Sequence, residues 1–591
     1  MHLDQMLTEL SRNNELPPES KLQETIQLRS QANEDLRQID MEIQHLVAKR
    51  EQVQRSLGIF NAILSPARRL LPDILREIFY HCVVQPYPIL SATEAPMVLT
   101  RVCSLWRSVA LSSPRIWTRL HIPIPGDPQF SSRVNNDRGP ELRHQMFSKT
   151  MELRCQAVKE WLGRSGSLPL SLSISYPFGY EPSVGSNVVE DDEVADPLFR
   201  TIRPFASRWR DFNLSMPFHI YQKLETQIPL DNLSMLRHFT GIIHVHSSTQ
   251  PTLIPLHIIE LPSLETLSLN CLQLTIHLGH YQNSWNRLTD IRFMSPITDT
   301  DLLGMLRQCP NLITLDVNIQ SPWFNSGDRE PDLATVLLPH LESLKLHETG
   351  SPSQAIPAVN APSLKLLQYR CPPRYSNFDA NEPLAPTLVR PDSLFWLISN
   401  SAASLEILSI DPLTFEPEHL WECLRLALHV KELILGDKDL FPLAPLDFEE
   451  EILSETCGPS ILEIFTVHTT GCESSTPGSN PLQNDILLPN LESLEANGGH
   501  TIADQNFRRI LESRIDAAHR GFTSPLRRVA VQFSRTKKED ILPEIVARAR
   551  GVGMEMKLDL VYRPSGRNYG PLSPSFLLPR SSGKTSFRYR A

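Results

Sequence analysis

The sequence predicts a mixed α and α/β chain in three parts: an N-terminal long helix, a small all-α bundle, and an irregular solenoid with a parallel sheet. Three observations carry that prediction. Apolar residues recur at three- and four-residue steps from Leu22 to Leu64. Two short helical patterns rich in Leu, Ile and Trp follow over 64–122. From Leu261 onward an LxxLxL unit returns at near-regular intervals.

Segment 1–63 is read as the helical segment. Its seam runs through Leu22, Ala32, Leu36, Ile39, Ile43, Leu46, Val53, Leu57, Phe60 and Leu64, broken by Thr25, Arg29 and Arg50. Charged and amide residues such as Glu34, Gln38, Glu42 and Lys49 fill the other faces, so the helix spans about 45 residues with a narrow apolar stripe. Such a stripe needs another helix. A second copy, giving a coiled-coil homodimer, an antiparallel fold-back within the chain, and a long helix lying on the bundle that follows each satisfy it, while the polar seam residues weaken a dry dimer contact.

In 64–122, Leu71-Pro72 opens a helix carrying Ile74, Leu75, Ile78, Phe79 and Cys82, because Pro is tolerated in a first turn where its missing N–H has no partner to lose. Those apolar positions cover more than one face. A second helix spaces Val98, Val102, Leu105, Trp106 and Val109 at helical steps, and Ser113-Pro114 starts a turn bringing in Ile116 and Trp117. A unit this small is marginal alone, so its surplus apolar surface points to a partner. The ordered pieces LPxxILxxIF (Leu71, Pro72, Ile74, Leu75, Ile78, Phe79), VCxxWR (Val102, Cys103, Trp106, Arg107) and PxxW (Pro114, Trp117) resemble the F-box of the large families in mushroom-forming fungi. The resemblance implies docking to the Skp-type adaptor of a cullin-based ubiquitin ligase through Leu71, Pro72, Ile74, Leu75, Ile78, Phe79 and Trp106. It covers about a tenth of the chain and leaves the target unnamed.

After a linker over 123–149 comes the repeat region, 150–562. First-Leu positions of the unit fall at 264, 288, 312, 341, 364, 405, 430, 462 and 491, with weaker copies around Val430 and Leu462. Alternation within each copy makes a strand, and helical stretches such as TDLLGMLRQC and EHLWECLRLAL precede several of them. One strand-plus-helix unit cannot bury its apolar face alone, so neighbours must stack, with the strands in a parallel sheet. This resembles degenerate leucine-rich repeats. It departs from them where Leu272, Gln320 and Thr349 occupy the positions of the family's Asn or Cys, so that side-chain ladder is expected to be missing. LPLSLSISY after Gly166 is read as the start of the array, and the helix 541–550 with the strand MKLDLVY as its terminal cap. An acidic loop over 179–197 and a basic tail over 563–591 are expected to be disordered.

Composition narrows the function classes. With 591 residues, more than one structural unit is expected. A net charge of −10 argues against a general nucleic-acid binder. Nine scattered cysteines without CxxC spacing fit buried thiols in a reducing compartment. No apolar run is long enough for a membrane span and MHLDQMLTEL does not resemble a secretory signal, so a cytoplasmic or nuclear location is expected.

No catalytic constellation emerges, and no cofactor or metal is expected. Gly583-Lys584-Thr585 lacks the leading glycine of a phosphate loop, since position 578 is Leu, and Gly551 with Gly553 lacks the third glycine of a dinucleotide fingerprint. His244 and His246, with His238 or His257 nearby in sequence, lack a Cys or carboxylate at ligand spacing. What remains is the solvent side of the repeat strands, where Asp290, Arg292, Asp316, Lys345, His347, Arg370 and Asp411 form a mixed-sign face suited to a target protein. An ordinary hydrated wall is the alternative. The expected function is a non-catalytic substrate-recognition subunit of a Skp–cullin–F-box ubiquitin ligase, and a scaffold unconnected with ubiquitin transfer is the rival.

Overall fold

The computed structural model describes residues 8, 12, 19–83, 87–125, 140–176, 195–244, 256–272, 285–321, 334–350, 353–371, 374–375, 386–387, 392–411, 415–436, 461–467, 486–500, 502–533 and 535–562. The acidic loop and the basic tail expected from the sequence lie outside them, apart from residues 195–197. Two compact units emerge: 1–84 with 95–113, and 85–94 with 114–591.

The first unit begins with helix α1 (Glu19–Leu64), 46 residues long. Its length matches the sequence expectation, and its seam residues from Leu36 to Leu64 are exposed. Helix α2 (Pro72–Cys82) starts after Leu71, whose extended backbone serves as N-cap, with Pro72 in the first turn. Helix α3 (Ser104–Leu111) is capped by the Cys103 sulfur, which accepts from the Trp106 N–H at 3.5 Å.

In the second unit, fourteen of the described strands form one sheet in chain order, every neighbouring pair parallel. They are β1 (Arg119–Pro123), β2 (Leu170–Ser175), β3 (Trp209–Pro217), β4 (His238–His244), β5 (Thr266–Leu272), β6 (Asp290–Ile297) and β7 (Thr314–Ser321). The series continues with β8 (Ser343–Gly350), β9 (Leu366–Arg370), β10 (Ile407–Ile410), β11 (Glu432–Leu435), β12 (Ser493–His500), β13 (Arg528–Phe533) and β14 (Lys557–Val561). Crossovers carry helices or 3₁₀ turns, including α4 (Pro140–Arg164), α5 (Asp196–Ile202), α6 (Phe218–Gln227) and α7 (Asp299–Leu306). Helices α8 (Asp392–Ser401), α9 (Pro417–Leu426), α10 (Asp504–His519) and α11 (Leu542–Gly551) follow.

Register explains the core. The penultimate Leu of each LxxLxL aligns strand to strand, from Leu120 through Phe212, Leu267, Leu344 and Leu433 to Leu558, and the final Leu aligns as a second column. First-Leu residues Leu264, Leu288, Leu312, Leu341, Leu364, Leu405, Val430 and Leu491 are all buried. Gly241 stands in the second column, where the Phe239 ring and Leu269 already crowd the space a Cβ would take. Gly436 has φ +76° and its missing Cβ would lie 2.6 Å from the Asn497 carbonyl oxygen, so only glycine fits.

Several expectations need correction. The sheet begins at β1, not at LPLSLSISY, because Trp117-x-x-Leu120-x-Ile122 is itself a copy of the unit. Trp117, counted with the bundle at sequence level, stacks edge-on against Trp161 at 4.9 Å under the Arg164 guanidinium, closing the first end of the sheet. Helix α4 starts at Pro140, inside the expected linker. The copy at Leu462 is not a strand: Ile461–Phe465 is a 3₁₀ turn whose Phe465 carbonyl accepts from Arg514 of α10, and β11 pairs directly with β12.

The polar ladder also moves rather than vanishing. The residue before the first Leu bonds a backbone carbonyl of the preceding repeat: Ser263 to Leu236, Asn311 to Asn286, Ser363 to Pro339, Ser404 to Leu364 and Asn490 to Leu428, at 2.7–2.9 Å. One position after the first Leu, charges alternate across neighbouring repeats, with Lys365 on Glu342 (2.8 Å), Lys431 on Glu406 (3.0 Å) and Arg527 on Glu492 (3.2 Å). These exposed pairs add little individually, but they match each repeat to the next.

The far end is closed by Asp504 at the start of α10. Its carboxylate accepts from the Arg535 guanidinium (2.7 and 3.1 Å), the Lys538 and Glu539 N–H groups (3.0 Å each) and the Tyr562 hydroxyl (3.0 Å), while Tyr562 stacks on Phe533 at 4.5 Å. Burial alone would raise its pKa, but the bonds from Arg535, the two N–H groups and Tyr562 outweigh that and hold it down at about 2, against an ordinary 3.8. A depressed carboxyl stabilises the fold above the ordinary value and loses that contribution as pH falls through the depressed one. Asp504→Asn is therefore expected to cost about 2 kcal/mol at pH 7. Urea titrations should show the gap between variant and wild type closing from about pH 4 down to about pH 2.

Candidate docking surfaces

Two surfaces stand out, one in each unit. On α2, Leu75 with Phe79 and Ile74 with Ile78 make two stripes at i, i+4 spacing, and the N-cap Leu71 precedes them on extended backbone. Leu75 and Phe79 have no solvent exposure, and Phe79 meets the half-buried Trp106 ring of α3 at 5.0 Å. Leu71, Ile74 and Ile78 form the adjacent stripe and are 68%, 50% and 37% exposed. Pro72 is exposed beside them. Val102 and Leu105, before and within α3, are exposed as well.

This corrects the sequence-level docking set. Leu75 and Phe79 are interior residues that hold α2 in place, and no visitor reaches them in this form. Five apolar positions on eleven helical residues exceed what one interior face takes up, so the i, i+4 pair fills the interior and the stripe one step round stays outside. Arg107, the last residue of VCxxWR, donates to the Thr100 carbonyl at 2.8 Å and so ties α3 to the turn before it.

On the sheet, register aligns the outward positions into columns. Ser268, Arg292, Asp316, Lys345 and Gln368 are successive neighbours across β5 to β9. Asp290 lies one step earlier, level with Thr266, Thr314 and Ser343, and the Arg292 guanidinium grips it at 3.1 and 3.2 Å. Asn318, His347 and Arg370 form a third column. Asp411 follows β10 at the level of Arg370, because Tyr369 pairs with Ile410. All seven residues expected at the target face therefore lie on outward positions of β6 to β10 or directly after them. Glu495 does not behave as its alternation implies: it sits in an outward column yet is buried, bonded by Asn497 at 3.0 Å and faced by Arg528 at 3.7 Å.

Residues that sequence reasoning missed lie inside. Glu348, on an inward position of β8, is 2% exposed and accepts from the Tyr369 hydroxyl, the Ser393 hydroxyl (2.8 Å) and the Ser353 N–H (3.3 Å). Burial pushes its carboxyl pKa up, since the charged form loses hydration faster than these three donors restore it. Arg514 is buried too, donating to the carbonyls of Phe465, Leu487 and Leu488, and burial lowers its pKa to about 10. Glu348 ties its strand to Ser353 and to α8, and Arg514 ties α10 to the turns at Phe465 and Leu487. The only sequence signal was a charge at an apolar repeat position, as with Glu348 after Leu344 and Leu346.

Among the described residues no group of three His, Cys, Asp or Glu side chains is placed to hold a metal ion. His238 pairs with Thr266 (2.9 Å) and His257 with Glu260 (3.3 Å), while His246 lies outside the described residues. Cys271, Cys309, Cys371 and Cys423 are buried free thiols, and Cys82 and Cys103 are exposed. No described helix is long and apolar enough to cross a membrane.

The two stripes of α2 should separate by mutation. Phe79→Ala is expected to cost about 3 kcal/mol or more of unfolding free energy, whereas Ile74→Ala should cost under about 1 kcal/mol. Denaturant unfolding of the full chain followed at both helical and tryptophan signals reads the difference. A scan against protein-family models matches none of them, and a search of curated proteins finds no match to the chain.

Proposed function

We propose that the chain is an F-box-type substrate-recognition subunit of a Skp–cullin–F-box ubiquitin ligase, with a leucine-rich-repeat-like sheet that holds the target protein. The observation that carries this reading is the exposed apolar stripe Leu71, Ile74 and Ile78 on a short helix whose other face is already packed. Single exposed apolar residues are ordinary, but three at helical spacing on a small unit leave a ridge that a partner's groove can cover. The stripe comprises three of the seven motif positions that the F-box resemblance assigns to the adaptor, two others, Leu75 and Phe79, being interior.

The chain then does no bond chemistry of its own. It raises the local concentration of a target beside a transferring enzyme, which is worth several orders of magnitude when the two are held together. The mixed-sign columns around Arg292, Asp316 and Lys345 favour a protein target read by complementary charge, since a nucleic-acid face would be dominated by Lys and Arg.

Replacing Leu71, Ile74 and Ile78 together by Ala is expected to weaken adaptor binding by about a hundredfold or more, roughly 3 kcal/mol. Titration of purified Skp-type adaptor against folded wild-type and triple-variant chain measures it. Equal binding by the two proteins, or none by either, ends the assignment. The scaffold reading is favoured by the long exposed seam of α1, and affinity purification separates the two: adaptor and cullin co-elute only with a ligase subunit.

A further inference from the structure

We propose that α1 pairs with α1 of a second copy of this chain in an antiparallel coiled coil, in the register that sets Glu42 of each copy against Lys49 of the other. The inference stands apart from the ligase reading and rests on the seam alone. Leu36, Ile39, Ile43, Leu46, Val53 and Leu57 are each about half exposed or more, as are Phe60 and Leu64, so no described part of the chain covers them.

The seam fixes heptad positions: Leu22, Arg29, Leu36, Ile43, Arg50, Leu57 and Leu64 are a, and Thr25, Ala32, Ile39, Leu46, Val53 and Phe60 are d. A parallel dimer closed by two-fold symmetry must be in register. That arrangement sets Arg29 against Arg29 and Arg50 against Arg50 inside the seam. Its g-to-e contacts put Asp35 against Asp40 twice and offer no opposite charges. Four like-charge contacts oppose it.

In an antiparallel pair, a faces d and g faces g, so only a few registers keep the seam closed. Pairing Leu22 with Phe60 brings Glu42 onto Glu42 and Asp40 onto Asp40, which offsets its two Asp35-to-Lys49 attractions. Shifting one heptad one way puts Asp35 on Glu42. Shifting it the other way faces Ile43 with Leu46 and Leu36 with Val53. This register brings Glu42 onto Lys49 twice and meets no like-charge pair. Here the seam arginines are also accommodated: Arg29 faces the Phe60 ring, where a cation is attracted to the π face, and Arg50 faces Ile39, whose next residue is Asp40. Residues 25–64 overlap, about 60 Å of helix, and a strip roughly 10 Å wide buries on the order of 1,200 Å² in total, within the range of stable dimers.

Charge exchange on the full chain tests both partner and direction. Wild type is expected to sediment as a dimer at micromolar concentration, at twice the 67.1 kDa of one chain. Glu42→Lys or Lys49→Glu alone turns two attractive contacts into repulsive ones and should raise the dimer dissociation constant roughly tenfold. The double variant Glu42→Lys/Lys49→Glu should return it to the wild-type value. Both positions are exposed and both residue types are good helix formers, so the monomer's fold is undisturbed. A chain that stays monomeric to 100 micromolar on the order of typical assay limits, single variants that pair like wild type, or a double variant that fails to recover would each overturn the proposal.

Discussion

Each strand of the sheet depends on its two neighbours for the burial of its apolar side. A strand and its turn expose Leu at every second position, and no single repeat has a partner layer of its own. The aligned columns from Leu120 to Leu558 solve this by stacking one repeat on the next. Everything else in the second unit follows from that stacking. Ser and Asn side chains bond the preceding repeat's carbonyls, and Glu and Lys alternate at the strand starts. The ends need special closure because neither has a full neighbouring strand: a single bridge from Ile89 to His121 with Trp117 and Trp161 provides it beside β1, and Asp504 with Arg535 and Tyr562 provides it beside β14.

How much of this was legible can be argued residue by residue. Where the columns are leucine, the repeat was visible from sequence. Where Trp209-x-x-Phe212-x-Leu214, Leu236-x-x-Phe239-x-Gly241 or Leu526-x-x-Val529-x-Val531 fills the same column, a leucine pattern passed over it, because the column selects bulk and not residue type. Trp209 and Phe212 meet as tilted rings at 4.6 Å, and Phe212 and Phe239 at 6.1 Å, supplying volume beside Gly241. Conversely, Leu462, Phe465 and Val467 carry the right spacing on a 3₁₀ turn, since spacing records which side chains are buried and not which backbone buries them. The Ser and Asn ladder was present in LPSL, CPNL, APSL and LPNL, yet its meaning appears only when the facing carbonyl is known.

The same limit governs α2. Its sequence shows that more apolar surface exists than one face can use, but not which stripe turns inward. Leu75 and Phe79 could not be told from Leu71, Ile74 and Ile78 by residue type. Contact with Trp106 decides it for Phe79. A motif therefore mixes two kinds of position: those that keep the helix in place and those that meet a partner. Mutating the first kind weakens binding only by unfolding the platform, so stability must be measured beside affinity before a motif residue is counted as a contact.

The outward columns and the α2 stripe are chemically different surfaces, and the difference bears on how they work. The stripe is apolar and small, so a partner covering it would bind through area removed from water, with little dependence on salt. The columns around Arg292, Asp316 and Lys345 are charged and half exposed, so a partner meeting them would be selected by charge complementarity, which acts on the rate of approach. An antiparallel α1 pair would add a third constraint. Residue 65 of each copy would then start from opposite ends of a helix pair about 60 Å long. A target with one site would gain nothing from the second copy, because linkage adds affinity only when two sites are engaged together.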